Sequence, residues 1–233
     1  ARTLGRAGQA VAAGRFDAWL FDLDNTLYHH SCDLFAQMDE RMQAFICETL
    51  VIDRAQARLL QKDYYQSHGT TLRGLMDHHG VDPRRFTEFV HEIDVTPVPA
   101  SPELDAALSR LPGRKIVFTN GSLHHAENVM ARLGVARHFE AVFDIAAANY
   151  VPKPADESYR LVVERFGLAP RRTLMLDDAA RNLKPAAALG MTTVWVRTEL
   201  SHGREGADGE HVHHVADDLA SWLDHAIGAP TRR

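Results

Sequence analysis

The chain has 233 residues, 45% of them hydrophobic and 24% charged, and its formal net charge at pH 7 is −5. This balance is typical of a globular protein with a well-buried core, and the negative charge gives no reason to expect a nucleic acid polymer as partner. No stretch reaches the roughly 20 apolar residues that span a bilayer, and residues 1–14 hold too short an apolar piece for a secretory signal. Cys32 and Cys47 are too few for a disulfide framework or a zinc site, so we expect a cytoplasmic location without membrane contact.

The first predicted strand, residues 18–21, is apolar and runs directly into the acidic turn at residues 22–26. The residues that follow, up to about position 91, repeat apolar side chains at helical spacing and predict several helices and no strand. Asp53 is a plausible N-cap for one of them. Because this stretch is too long for a connecting loop, we predict a helical cap at residues 29–98. The core would then consist of residues 1–28 and 99–233.

Beyond two prolines at positions 97 and 99, predicted helices and strands alternate. Helices are expected at residues 101–110, 122–133, 156–166, 179–189 and 217–227, and strands at residues 115–118, 141–144, 173–176 and 192–196. Gly134, Gly167 and Gly190 mark helix ends. Short apolar strands between amphipathic helices indicate right-handed βαβ units and a parallel sheet. The predicted fold is therefore α/β, with a Rossmann-like parallel sheet as core and an inserted helical cap.

Polar side chains follow four of the predicted strands. They are Asp22 and Asp24 after the first strand, Thr119, Asn120 and Gly121 after the second, Lys153 past a loop after the third, and Asp177 and Asp178 after the fourth. Ligands of parallel sheets bind outside the carboxyl ends of the strands, so these side chains converge if the strands are neighbours. Each pattern is common by itself, but four of them in this order indicate one site.

The carboxylates of this set predict a metal ion. Several carboxylates placed together repel one another unless a cation lies among them. Hard oxygen ligands select Mg²⁺ over softer metals, and Mg²⁺ in proteins typically takes one or two carboxylates plus a substrate phosphate. Asp178, with Asp177 beside it, is expected to anchor this ion.

The same set predicts phosphoryl transfer. Asp22 is the candidate nucleophile, since carboxylates form aspartyl-phosphates, and Asp24 can protonate the leaving oxygen and then activate water. Thr119 and the backbone N–H groups of two residues after it, Asn120 and Gly121, can hold the phosphoryl oxygens. Lys153 would supply fixed positive charge.

The ordered motifs at residues 22–26, 119–121, 153–154 and 177–178 resemble the four sequence motifs of the haloacid dehalogenase superfamily, over roughly residues 17–225. The position of the predicted cap resembles members with a cap of the haloacid dehalogenase type. The resemblance implies the roles given above and adds Asp24 as a metal ligand through its backbone. Many relatives carry a further carboxylate five residues after the metal-binding Asp. Leu183 stands there in this chain, so Asp177 is the expected substitute in the metal shell.

Residues 21–28, 176–182 and the cap stretch 64–75 are similar to the pyrimidine 5′-nucleotidase branch of that superfamily. This similarity implies a pyrimidine nucleoside 5′-monophosphate as substrate. A phosphatase or mutase acting on sugar phosphates or phosphoglycolate is the alternative. A 2-haloacid dehalogenase fits less well, because those enzymes lack a second Asp corresponding to Asp24 and need no magnesium. A non-catalytic binding protein should have lost one of the motifs.

Some polar residues outside the four motifs are candidates for weaker roles. Arg73 could meet a phosphate or base and a cap tyrosine could stack on a base, but the more ordinary interpretation is that Tyr64 packs inside the cap and the others are surface residues. His124 and His125 begin a predicted helix near Thr119, where contact with substrate is the less favoured interpretation. The histidine-rich residues 211–214 lie away from the predicted site.

Overall fold

The computed structural model describes residues 11–228, so residues 1–10 and 229–233, and most of the segment in which no secretory signal is expected, lie outside the described part. The strands are β1 (Ala18–Phe21), β2 (Arg114–Phe118), β3 (Ala141–Phe143), β4 (Thr173–Asp177), β5 (Thr192–Val196) and β6 (His214–Ala216). The α-helices are α1 (Leu34–Leu50), α2 (Arg54–His68), α3 (Thr71–His79), α4 (Pro83–Val90), α5 (Pro102–Arg110), α6 (Leu123–Leu133), α7 (Asp156–Phe166), α8 (Ala180–Ala188) and α9 (Leu219–Gly228). Short 3-10 helices occupy Ala13–Arg15, His30–Cys32, Ala136–His138 and Pro170–Arg172.

The six strands form one parallel sheet in the order β3-β2-β1-β4-β5-β6, which confirms the predicted α/β fold with a Rossmann-like core. The strand order reverses between β1 and β4, and ligand sites of such sheets lie at this switch point. Phe21 at the end of β1 lies opposite Val117 of β2 and Leu176 of β4. The residues that follow these three strands therefore emerge side by side.

The central strand β1 shows why this sequence forms a sheet covered on both faces. All four of its residues are buried, as expected for a parallel strand between two layers of helices. Successive side chains point to opposite faces. Trp19 and Phe21 join one hydrophobic cluster, whereas Ala18 and Leu20 join the other. The first cluster also contains Phe45 of α1 and so continues into the helices after β1.

The stretch between β1 and α5 contains helices and no strand within the described residues, as predicted. Helix α1 packs on α2 and α4, and α3 packs on the same two helices. Helix α2 begins at the expected cap, because Asp53 accepts from the Gln56 N–H while the Gln56 side chain accepts from the Asp53 N–H. This packing supports a cap at residues 29–98, although that boundary stays a prediction. None of the helices formed by residues 11–228 combines the length and apolar character that a bilayer crossing requires.

The edge strand β6 is not predicted from the sequence, whereas the predicted core elements are all present with ends that differ by at most two residues. Three residues are too few to show the alternation that marks a strand. Two histidines just before β6 contact the backbone of neighbouring segments. His211 Nε2 lies 3.0 Å from the Ala180 carbonyl, and His213 Nδ1 accepts from the Thr193 N–H at 3.0 Å.

Candidate active site

Lys153 lies at the centre of the carboxyl ends of the strands. Its Nζ donates to Asp22 Oδ1 at 2.7 Å, to Asp177 Oδ2 at 2.8 Å and to the Phe118 carbonyl at 2.8 Å. Only 2% of the residue is exposed, so all three bonds lie in a region of low dielectric. One buried ammonium thus joins the ends of β1, β2 and β4.

The loop that carries Lys153 is fixed by Asn120. The Asn120 side chain accepts from the Lys153 N–H at 2.8 Å and donates to the Lys153 carbonyl at 3.2 Å. The Asn120 amide is thus engaged on both sides, and the expectation that the Asn120 backbone N–H contacts a phosphate stays a prediction. The positioning of Lys153 is a further role that the sequence does not reveal.

Asp22, Asp177 and Asp178 bring one carboxylate oxygen each within 4.8 Å of one another. Asp178 is only 6% exposed, and no donor among residues 11–228 bonds to its carboxylate. Three carboxylates here share the single ammonium of Lys153, so the ionised cluster carries two uncompensated negative charges. A divalent cation with oxygen ligands fits both the donor set and the charge.

The pKa shifts of these groups agree with that electrostatic picture. Burial raises the pKa of Asp22 to about 7, Lys153 opposes the rise, and Asp177 reinforces it. Burial, followed by repulsion from Asp22 and Asp177, raises the pKa of Asp178 well above its usual range. A bound cation would reverse this tendency by favouring the ionised carboxylates.

Asp177 is held differently from Asp178. Its Oδ2 accepts from Lys153, its Oδ1 accepts from the Ala179 N–H at 2.9 Å, and the Asn182 amide donates to both oxygens at 3.0 and 3.2 Å. Through the bond at Oδ2, Asp177 orients Lys153. The expectation that Asp177 joins the metal shell stays a prediction.

The side chain of Asp24 lies outside this cluster. Its Oδ1 accepts from the Tyr28 hydroxyl at 2.6 Å and from His125 Nε2 at 2.7 Å. Burial alone would raise the pKa of Asp24, but the interactions with His125 and Tyr28 outweigh burial and lower it. The Asp24 carboxylate is not part of the group formed by Asp22, Asp177 and Asp178, and the expectation that Asp24 contacts the metal through its backbone carbonyl stays a prediction.

The turn after β2 has the shape of a small anion cradle. Thr119 Oγ1 accepts from the Gly121 N–H at 2.9 Å, which leaves its hydroxyl hydrogen available to a ligand. A Cβ on Gly121 would lie 3.2 Å from Thr119 Oγ1 and 3.6 Å from Asp24 Oδ2. A side chain at this position would therefore crowd the space between Thr119 and Asp24.

Two further side chains hold the reacting groups without having been predicted to do so. The Thr26 hydroxyl donates to Asp22 Oδ2 at 2.9 Å and accepts from the Asp178 N–H at 3.0 Å. Trp195 Nε1 donates to the Asp178 carbonyl at 2.7 Å. Thr26 was visible in the first motif, whereas nothing in the sequence pairs Trp195 with Asp178.

The cap reaches the site region through Tyr65. The Arg181 guanidinium donates to the Tyr65 hydroxyl at 2.5 Å and lies over the Tyr65 ring, 5.0 Å from the ring centroid. Tyr64 instead packs inside the cap, as expected, and its hydroxyl lies 2.7 Å from His79 Nε2. Arg73 is paired with Asp77 on its own helix at 2.9 Å, beside a groove of about 300 Å³ between cap and core.

Comparison with known proteins places the chain among hydrolases. The family model for haloacid dehalogenase-like hydrolases matches residues 16–190. Phosphate metabolism protein 8 of Saccharomyces cerevisiae is 25% identical over 189 residues, which cover 74% of this chain and 59% of that protein. Fructose-1-phosphate phosphatase YqaB of Escherichia coli is 32% identical over 117 residues, with coverages of 49% and 61%. The chain thus spans about three fifths of these two proteins.

Another relative matches over most of its length. Glyceraldehyde 3-phosphate phosphatase of Methanocaldococcus jannaschii is 26% identical over 221 residues, which cover 88% of this chain and 94% of that protein. Among solved structures, that of YfnB from Bacillus subtilis bound to magnesium has a TM-score of 0.60 at 16% identity, with coverages of 92% and 100%. The L-2-haloacid dehalogenase of Xanthobacter autotrophicus has a TM-score of 0.58 at 18% identity, with the same coverages. At these identities the two structures establish a shared fold alone.

Proposed function

The chain belongs to the haloacid dehalogenase-like hydrolase family, and from that premise we propose that it is a magnesium-dependent phosphatase of a small phosphate monoester. The observation that carries the proposal is the buried cluster of Asp22, Asp177 and Asp178 around Lys153, with Asp24 held separately at the same strand end. A nucleophile beside fixed positive charge and a second carboxyl group free for proton transfer are the parts that phosphoryl transfer needs.

In the proposed first step, the Asp22 carboxylate attacks phosphorus. The bond between Asp22 and phosphorus forms while the bond to the leaving oxygen breaks, and Asp24 gives that oxygen its proton. The Thr119 hydroxyl, the Asn120 N–H and the positive charge of Lys153 stabilise the phosphoryl oxygens, because the predicted Gly121 N–H already donates to Thr119 Oγ1. In the second step, water attacks phosphorus, Asp24 takes a proton from it, and the bond to Asp22 breaks.

Asp22, Asp178 and the backbone carbonyl of Asp24 would hold the Mg²⁺ ion, with Asp177 as a further ligand. The ion would neutralise the carboxylates and orient the substrate phosphate. The Asp178 carboxylate, buried without a donor among the described residues, is the observation that supports its presence.

We propose a pyrimidine nucleoside 5′-monophosphate as substrate, on the similarity of residues 21–28, 64–75 and 176–182 to the pyrimidine 5′-nucleotidase branch. Relatives named for fructose 1-phosphate and glyceraldehyde 3-phosphate favour a sugar phosphate as second candidate. Asp24, with its two hydrogen bonds, argues against the dehalogenation of 2-haloacids. Residues 29–98 would act as the cap that selects the substrate, in a cytoplasmic enzyme.

The test is phosphate release from UMP, CMP, dUMP, AMP, GMP, glucose phosphates, fructose 1-phosphate and phosphoglycolate, with and without magnesium. A preference for pyrimidine monophosphates that EDTA abolishes reversibly is the expected result. A preference for sugar phosphates or phosphoglycolate would keep the chemistry and replace the substrate. Turnover in excess chelator would remove the metal ion, and no release from any ester would contradict the proposed function.

A further inference from the structure

The carboxylate of Asp24 is held through a single oxygen. Tyr28 and His125 both bond to Oδ1, at 2.6 and 2.7 Å. Because an ionised carboxylate only accepts hydrogen bonds, His125 Nε2 carries the hydrogen in this pair. Tyr28 comes from the turn after β1 and His125 from the first turn of α6, so the two donors reach Asp24 from different elements.

The other oxygen of Asp24 faces the phosphate cradle. Oδ2 receives no hydrogen bond from residues 11–228, and it lies 3.6 Å from the position of a Cβ on Gly121, which is itself 3.2 Å from Thr119 Oγ1. When Asp24 is protonated, its Oδ1 already accepts two hydrogen bonds, so the proton resides on Oδ2. The two donors therefore turn the acidic hydrogen towards the cradle.

His125 is itself firmly placed. It is 0% exposed, and its backbone N–H donates to the Ser122 Oγ that caps α6, at 3.3 Å. The His91 ring, directly after α4, stacks on it with centroids 5.0 Å apart and planes 16° apart. Burial and then the adjacent His125 lower the pKa of His91 to about 4, so His91 packs here as a neutral ring. The stack joins the end of the last cap helix to the group that holds Asp24.

We infer that His125 and Tyr28 are positioning residues for the general acid, and that they determine which oxygen of Asp24 carries the proton. The inference rests on the proposed function, because it requires Asp24 to protonate the leaving oxygen. That oxygen takes the proton from Oδ2 as the bond from phosphorus to it breaks and the bond from Asp22 forms. In the second step, Oδ2 regains a proton from the attacking water, which restores the starting state.

The test compares two esters in the full chain with magnesium. UMP (or glucose 6-phosphate, if UMP is not turned over) has a poor leaving oxygen that needs a proton, whereas the leaving oxygen of p-nitrophenyl phosphate departs largely without one. We expect His125→Met to lower kcat/KM about 100-fold for the alkyl ester and less than about 5-fold for the aryl ester. A loss of packing alone would lower both values together, so the ratio between the esters is the informative quantity.

Three matched variants complete the experiment. Tyr28→Phe keeps the ring and removes one hydrogen-bond donor. It should lower kcat/KM about 10-fold for the alkyl ester and by much less for the aryl ester. His125→Gln retains an N–H donor and should recover most of the loss. His124→Leu alters the exposed neighbour of His125, whose ring bonds to Asn128. This variant should leave kcat/KM unchanged for both esters.

Equal losses on the two esters in His125→Met and Tyr28→Phe, or no loss in either, overturn the inference while leaving the proposed function intact. If His125→Met does not fold, the selectivity of Tyr28→Phe decides the question. A wild-type chain that releases phosphate from neither kind of ester contradicts the proposed function itself, and the inference fails with it.

Discussion

The carboxyl ends of the strands and the inner surface of the cap are built differently. At the strand ends, Lys153 is buried and bonded to Asp22 and Asp177 within 2.8 Å. In the cap, Tyr65 is 38% exposed and reaches the core through its contact with Arg181. A preorganised buried cluster suits a reaction that is the same for every phosphate ester, whereas an exposed surface on separate helices suits the choice among esters. Chemistry and specificity should therefore be separable by mutation.

Removal of the nucleophile should have the largest effect. Asp22→Asn replaces the attacking carboxylate by an amide, a poor nucleophile, and we expect kcat to fall at least about 1000-fold. Steady-state phosphate release measures this fall. Asp63→Asn, an identical change on the exposed face of α2, is the control and should behave like wild type. A rate near that of wild type in Asp22→Asn would place the chemistry elsewhere.

Removal of a metal ligand should come next. Asp178→Asn takes one charge from the carboxylate that lacks a donor among the described residues, so the variant should bind magnesium more weakly. We expect kcat/KM to fall about 100-fold and the magnesium concentration for half-maximal activity to rise. A titration of activity against magnesium separates the two effects. An unchanged half-maximal concentration would show that Asp178 is not a ligand.

Magnesium binding to the carboxylate cluster should also raise the Tm of the protein. Burial raises the pKa of Asp22 to about 7, so without metal the Asp22 carboxyl binds more protons in the folded chain than in the unfolded chain between about pH 4 and pH 7. The contribution of Asp22 to stability is then complete below about pH 4 and lost as the pH rises through 7. Magnesium at about 100 times its Kd at pH 8 should raise Tm by about 5–10 °C at that pH. The same magnesium concentration should raise Tm by less at pH 5.5, because protons compete for the carboxylates. An equal rise at both pH values, or none, would contradict this electrostatic account.

The smallest effect on chemistry should come from the cap. Tyr65→Phe removes the hydroxyl that Arg181 contacts and keeps the ring, so we expect KM to change about 2- to 5-fold with kcat nearly constant. Tyr64→Phe is the matched control, because its hydroxyl contacts His79 inside the cap and its loss should affect stability alone. A fall in kcat comparable to that of Asp22→Asn would end the separation between cap and strand ends.

The sequence predicts the strand-end residues and misses most of the bonds between them, for a physical reason. Asp22 and Asp178 are visible because each follows an apolar strand, and parallel strands bring their carboxyl ends together. The bond between Asp24 and His125 joins residues 101 positions apart, and the contact between Tyr65 and Arg181 spans 116 positions. No local sequence pattern predicts such pairs, because they depend on how the helices pack against the sheet and against one another.

The measurement that tests the central claim most directly is chemical trapping of the intermediate. Rapid quenching during turnover with magnesium, followed by borohydride reduction, converts an aspartyl-phosphate to homoserine, which mass spectrometry locates in the tryptic peptide of residues 16–41. The account predicts homoserine at Asp22 and at no other carboxylate of that peptide. Turnover with an unmodified Asp22, or trapping at another residue, would contradict it.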